Sequence, residues 1–308
     1  MIDFRYHIVS IVAVFLALGI GVVMGSGVVG EPLLENIRDR ARDVQDFNDR
    51  LKEDVDELEH ELSVARDFTA AVEPMLIKGR LAGEDVVIVD VASGDVPLDA
   101  LMDALEDRAG ATVASIVTVT DDLELATDED EEELASLIGR SLERDELRVE
   151  AARQVGAEIA ALADPRPRSP AKAGLIGELE DAGFLDVAEE EEAAPVPPGS
   201  SVVVVAGGTS DTTFRIDQVV TALAEAAAAG GRTGPVVVVE TTDSVWGIVG
   251  SVRGDGDLAN AIGTVDNVDK LSGRIALVMS LDRSEGEEPG HFGEKNDVPV
   301  IPEPGLRD

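Results

Sequence analysis

Gly207-Gly208-Thr209-Ser210 sits between an apolar run, Ser201 to Ala206, and a helical pattern. A turn of this kind at the end of a strand can aim backbone N–H groups at an anion. It has neither the G-x-G-x-x-G spacing nor the P-loop lysine, so an ordinary strand-to-helix turn capped by Thr or Ser fits it better than a nucleotide site does. A hydrolytic triad needs a histidine beside a nucleophile. The three histidines fall elsewhere: His7 at the edge of an apolar segment, His60 in a heptad segment and His291 in the tail. The carboxylate runs at 128–133 and 189–192 lack the spaced ligands and turn glycine of a calcium loop, and read as a solvated helix start and an acidic linker. No cysteine is present, which removes disulfides and thiolate metal sites. These residues point to no enzyme and to no cofactor.

The elements around them are strongly acidic. Across 308 residues, 63 acidic side chains face 25 basic ones, a formal net charge of -38. That charge favours solubility and disfavours polyanions, so nucleic acid is not an expected partner.

Ile8 to Val29 contains 22 uncharged residues. At about 1.5 Å per residue they span the roughly 30 Å of a bilayer's hydrocarbon, so the lipid bilayer is the expected partner of residues 8–29. Gly25, Ser26 and Gly27 also offer small residues for signal cleavage, but the run exceeds the usual signal core. Arg38, Arg40 and Arg42 outnumber Arg5 across the segment, which would keep the large domain inside. Large domains translocate largely regardless of such charges, and a short N-terminal tail stays cytoplasmic, so the expectation is a single-pass envelope protein with its large domain on the extracytoplasmic side. Gly21 and Gly25 form a G-x-x-x-G pair that lets two such helices approach.

From Leu34 a seven-residue repeat follows. Leu34, Ala41, Asn48, Val55, Leu62 and Thr69 alternate with Ile37, Val44, Leu51, Leu58, Ala65 and Val72. This is the seam of a left-handed coiled coil, and Asn48 is the kind of buried polar group that fixes register in a parallel dimer. Asn48, Leu51, Val55, Leu58 and Leu62, with Gly21 and Gly25, are the expected oligomerisation residues. Across a parallel pair Glu61 would meet Arg66, whereas Asp54 would face Glu59. Pro74 and Gly79 are the expected stop.

Beyond the stalk, Asp85 to Ala92, a helix over Leu98 to Leu105 and Thr112 to Val119 make a β-α-β unit, and the order recurs as Ser201 to Ala206, a helix through Ile216 to Ala227, and Pro235 to Glu240. Val202–Val205 and Val236–Val239 do not alternate with polar residues, so both faces of those strands should be covered, as in a parallel sheet. Helices are expected over 128–162 and Ala171–Asp181, and a last strand over Arg274–Leu281. The expected architecture is α/β: a tail and transmembrane helix (1–30), a coiled-coil stalk (31–78), a parallel-sheet, Rossmann- or flavodoxin-like domain (79–283) with a flexible acidic loop at 189–198, and a disordered tail (284–308).

Several segments together resemble a known family. They are Met1-Ile2-Asp3-Phe4-Arg5-Tyr6-His7 leading into the apolar segment, Thr264-Val265-Asp266-Asn267-Val268-Asp269 ahead of Gly273, and Gly290-His291-Phe292-Gly293. The chain is similar to the copper-transport outer-membrane protein family, the MctB family of actinobacteria. The resemblance implies an envelope protein of copper homeostasis, with copper as the only metal implied. It makes Asp266, Asn267 and Asp269 the candidate functional loop; their other reading is structural, since Asp and Asn bond to nearby backbone and shape loops. Copper(I) prefers sulfur and copper(II) imidazole, yet Met1, Met24, Met75, Met102 and Met279 are scattered and no two histidines are neighbours. The metal ligands are therefore unknown from sequence. A single helix encloses no pore, and the short Val runs do not suit a spanning barrel. The alternative is a non-enzymatic scaffold whose paired stalk presents the head to another envelope protein.

Overall fold

The computed structural model describes residues 4–27, 30–91, 96–165, 174–189, 196–208, 214–229, 234–283 and 287–302. The chain divides into two compact units, residues 1–68 and 69–308. The first contains helix α1 (Phe4–Gly27) and most of helix α2 (Gly30–Ile77). One stretch of α1, Arg5–Gly25, is long and apolar enough to cross a membrane. Residues 5–25 and 35–68 are exposed throughout, including the apolar repeat Ile37, Val44, Leu51, Val55, Leu58 and Leu62.

The second unit is built on one seven-stranded sheet in the order β3-β2-β1-β4-β5-β6-β7. The strands are β1 (Asp85–Asp90), β2 (Thr112–Val119), β3 (Leu185–Glu189), β4 (Ser201–Val205), β5 (Val236–Val239), β6 (Gly263–Val265) and β7 (His291–Phe292). All neighbours are parallel except β2 and β3. The chain winds outward from β1 to β3, then returns beside β1 as β4 and winds the other way.

The valine runs behave as their lack of alternation requires. Val86, Ile88, Val203, Val205, Val237, Val239 and Val265 face one core; Val89, Val202, Val204, Val236 and Val238 face the other. Helices α4 (Asp128–Ile138), α5 (Arg144–Ala163), α6 (Leu175–Asp181), α7 (Ile216–Ala228) and α8 (Ile248–Gly254) cover the second face. The first is covered by α10 (Leu271–Leu281), by α3 (Leu98–Met102) with the π-helical turn Asp103–Arg108 that continues it, and by Ile77 at the end of α2. A short helix α9 (Gly256–Ala259) precedes β6. Each fully buried Val or Leu contributes about 1.5–3 kcal/mol of transfer free energy.

The acidic run at 128 is a helix start. Thr127 Oγ1 accepts from Asp130 N at 3.1 Å, Asp130 Oδ2 accepts from Thr127 N at 3.0 Å, and Arg144 pairs with Asp128 and Glu131 at 3.1 and 2.9 Å.

Four expectations change. Arg274–Leu281 is not the last strand but lies in α10: Ile275 to Leu281 are all buried, so no polar face betrays a helical period and the apolar run reads equally as strand. The strand at this place is β6, which ends directly before the candidate loop of Asp266, Asn267 and Asp269. Residues 287–302 are not a disordered tail, because β7 adds to the sheet beside β6. Pro74 does not end α2, which runs on to Ile77; Gly79, at φ +69°, follows the stop. Residues 190–195 of the acidic loop lie outside the described residues, and Val196 is buried.

Candidate functional site

Strand β6 is three residues long, too short to hold its place by ladder bonds alone, and the residues after it fasten it from both sides. Asp266 is fully buried at its carboxyl end. One carboxylate oxygen accepts from Glu294 N at 2.6 Å; the other accepts from Lys295 N at 3.1 Å and from Arg253 Nη1 at 2.5 Å. Arg253, at the end of α8, also donates from Nη1 to Lys295 O, from Nη2 to Phe292 O and from Nε to Thr264 Oγ1, at 3.0, 2.7 and 2.9 Å. One buried ion pair thus ties α8, β6 and the segment after β7 together. A side chain at Gly293 could not coexist with it, since a Cβ there would stand 2.1 Å from the Asp266 carboxylate and the residue sits at φ +142°.

His291 completes the clasp. Its Nε2–H donates to Ala259 O at 3.2 Å, and Nδ1 lies 2.9 Å from Thr264 Oγ1. Arg253 donates into that hydroxyl, whose own O–H is then free to donate to Nδ1, an arrangement that a neutral ring satisfies. Burial holds the His291 pKa below its usual value, Arg253 and Arg283 push it the same way, and the bond to Ala259 opposes them. Both ring nitrogens are therefore occupied.

Asn267, also fully buried, donates from Nδ2 to Ser272 Oγ at 3.2 Å, while its Oδ1 has no hydrogen-bond partner among the described residues. Its backbone presses on α10: a Cβ at Gly273 would lie 2.0 Å from Asn267 O. Asp269 is exposed and accepts from Thr242 N and Oγ1 at 2.7 and 3.1 Å, tying the loop after β6 to the loop after β5.

The glycine turn meets the same loop from the other side. Gly207 abuts the Glu240 backbone, and Gly208 lies under Trp246, whose ring a Cβ would meet at 2.6 Å. The Gly208 carbonyl accepts from Val245 N at 3.0 Å. Thr209 lies outside the described residues.

Between the two stands Glu240. Its Oε1 accepts from Val249 N at 3.1 Å at the start of α8, and its buried Oε2 lies 3.9 Å from Lys295 Nζ and has no hydrogen-bond partner among the described residues. Burial raises the Glu240 pKa; the Val249 bond and the Lys295 charge only partly oppose it.

The structure thus brings Asp266, Asn267, Asp269, Gly207 and Gly208 together around residues 240–246, and nearly every polar group there is committed to holding the loops in place. Among the described residues, no three or more His, Cys, Asp or Glu side chains are placed to hold a metal ion. Sequence reasoning missed Arg253, Glu240, Lys295 and the role of His291. The available signal was the pairing of two motifs, since the TVDNVD and GHFG segments touch as β6 and β7. The proposed oligomerisation residues, Gly21, Gly25, Asn48, Leu51, Val55, Leu58 and Leu62, are all exposed, away from this clasp in sequence.

Similarity to known proteins spans the chain. The family model "Copper transport outer membrane protein, MctB" matches residues 1–302. The Copper transporter MctB of Mycobacterium tuberculosis (strain ATCC 25618 / H37Rv) is 30% identical over 308 residues, covering 95% of this chain and 96% of its own. That of Mycobacterium leprae (strain TN) is 28% identical over 311 residues, with the same coverage. With an α/β head, one N-terminal apolar helix and a family match that takes in both halves of the β6–β7 clasp, this chain belongs to the MctB family of copper transport outer membrane proteins.

Proposed function

We propose that this chain is a non-enzymatic envelope protein serving copper export or tolerance, anchored by α1 and paired with a second copy through α2, with its head on the extracytoplasmic side. The observation that carries the copper role is the family match over residues 1–302, reinforced by relatives named as copper transporters over 95% of the chain. Anchoring is supported by the uncharged, exposed stretch within Arg5–Gly25. Pairing is supported by the apolar heptad positions left exposed on α2: a lone helix in water does not keep such a stripe uncovered, and its 3.5-residue period suits another helix of the same repeat. The reversal of strand order between β1 and β4 supports reading the head as doubly wound and Rossmann-like.

The second reading, a scaffold that presents the head to another envelope protein, is favoured by one specific observation: the head's polar residues secure its own loops and assemble no metal-ligand cluster among the described residues. Deleting the gene and measuring cell copper and copper tolerance separates the two. Raised copper content and sensitivity, reversed by the full chain, support the transport role; unchanged copper with a disturbed envelope overturns it in favour of the scaffold.

A further inference from the structure

A cavity of about 1080 Å³ opens at the amino ends of β5 and β6, the edge of the sheet opposite Asp266 and the glycine turn. It exceeds the roughly 300–1,000 Å³ of most small-ligand clefts, which leaves room for a ligand of several residues. Its floor is neutral and mostly apolar. Val236 and Gly263, the first residues of the two strands, line it with Ala224 of α7 and Leu258 of α9.

The two ends of the groove differ in charge. Arg283 stands at one end, two residues past α10, with its Nη1 3.3 Å from where a Cβ on Gly290 would lie. It is half-buried, and no hydrogen bond or ion pair engages it among the described residues. Burial lowers its pKa, and the charges of Glu287 and Glu288 only partly oppose that. A guanidinium so placed is short of an acceptor.

The wall on the α7–α9 side carries Glu225, Asp255 and Asp257. Asp255 is committed to capping α9, where its Oδ1 accepts from Asp257 N and Leu258 N at 3.0 and 3.2 Å. Glu225 and Asp257 are exposed and enter no hydrogen bond or ion pair among the described residues, although the charge of Glu225 is felt at Arg153. The carboxyl end of α7, with no basic residue in its last turn, adds partial negative charge beside them. Because α10 covers one face of the sheet and α7 the other, the groove runs round the strand ends from a lone cation to a pair of carboxylates.

A simple anion at Arg283 would meet the charge of Glu287, and a simple cation at the carboxylates would leave the guanidinium unanswered. One ligand with a carboxylate and an ammonium at opposite ends of a neutral body answers both. We infer that this groove binds a short peptide by its two termini, the terminal carboxylate at Arg283 and the terminal ammonium at Glu225 and Asp257, with small side chains over Ala224, Val236 and Leu258. The inference concerns the head alone and goes beyond the copper role.

The full chain in lipid nanodiscs is titrated by calorimetry with tetra-alanine, with its N-acetyl form and with its C-terminal amide. Tetra-alanine should bind, and each blocked form should bind about tenfold or more weakly, the effect of leaving a charged hydrogen-bonding group unpaired. In Arg283→Gln the free acid and the amide should bind alike while the N-acetyl penalty remains. Glu225→Gln combined with Asp257→Asn should show the reverse. The peptides alter the ligand on the native fold, so a variant that fails to fold leaves the decision to them. Absence of tetra-alanine binding at millimolar concentration, or equal binding of all three peptides by the wild type, overturns the proposal. Penalties that persist unchanged in both folded variants place the peptide elsewhere and overturn it as well.

Discussion

The β6–β7 edge of the head and the helix α2 both carry charged and amide side chains and use them in opposite ways. Arg253 is 7% exposed as a side chain and donates to four acceptors on three segments. On α2 Asn48 is exposed, and Leu58 keeps 63% of its surface in the open. A region whose donors and acceptors are answered within the chain is finished by folding. On the reading proposed above, a region with an ordered apolar repeat left exposed is completed by a second copy. The contrast sets a head whose polar groups answer one another against a helix whose apolar repeat is uncovered among the described residues.

The sharpest way to break this contrast is to open the clasp. Arg253→Ala leaves the Asp266 carboxylate buried with its ion-pair partner gone, a change that costs about 3–5 kcal/mol in buried pairs. Urea unfolding of the full chain followed by near-ultraviolet signal from Trp246 should show a midpoint lowered accordingly, with the dimer fraction at native conditions unchanged. A loss below about 1 kcal/mol would mean that the clasp is ornamental to the head's stability.

Leu58→Ala probes the other side of the comparison. If α2 is paired, truncating a seam leucine costs about 2–5 kcal/mol per buried site and shifts the monomer–dimer equilibrium seen by sedimentation, while the Trp246 unfolding midpoint of the head stays in place. A fall in that midpoint with no change in association would put Leu58 against the chain's own head.

The legibility of the sequence divides along the same line. The β4 and β5 valine runs announced strands covered on both faces, because burial on two sides leaves a chemical trace in four consecutive residues. The helix α2 was legible too, because its apolar residues keep a period near that of a helix turn. Strand β6 was not: Gly263-Thr264-Val265 is too short to show a period, and Ile275–Leu281 beside it, buried all round, looked more like a strand than β6 did. The clasp was hidden more deeply. Arg253 stands in an unremarkable Ser-Val-Arg-Gly stretch, and only the fold brings it to Asp266 and to the residues after β7. Gly273 and Gly293 could be seen, but the Asn267 carbonyl that crowds the first depends on how the loop after β6 turns back on α10, and the Asp266 carboxylate that crowds the second is a long-range neighbour.

The smallest effect is the most diagnostic of how the clasp is protonated. Burial holds the folded pKa of His291 below the unfolded value of about 6.5. Its contribution to stability is therefore complete above that unfolded value and is lost as pH falls toward the folded one, at up to about 1.4 kcal/mol per pH unit. Glu240 has the opposite sign: its folded pKa is raised by burial, so its contribution is complete below the unfolded carboxylate value and is lost as pH rises through the folded one. Whole-chain pH profiles mix these two with 62 other acidic groups, but differences between variants do not. His291→Asn should be less stable than the wild type at pH 7.5, with the gap narrowing by pH 5.5, because only the wild type loses its neutral-imidazole bonds on the way down. Glu240→Gln keeps an acceptor for Val249 N–H and removes the buried charge, so its advantage over the wild type should grow as pH rises. If the His291→Asn gap instead widened as pH fell, the ring would already be charged in the fold and the Thr264 hydroxyl would have to be turned away from Nδ1, whereas a constant gap would mean that the fold leaves the His291 pKa where the unfolded chain has it.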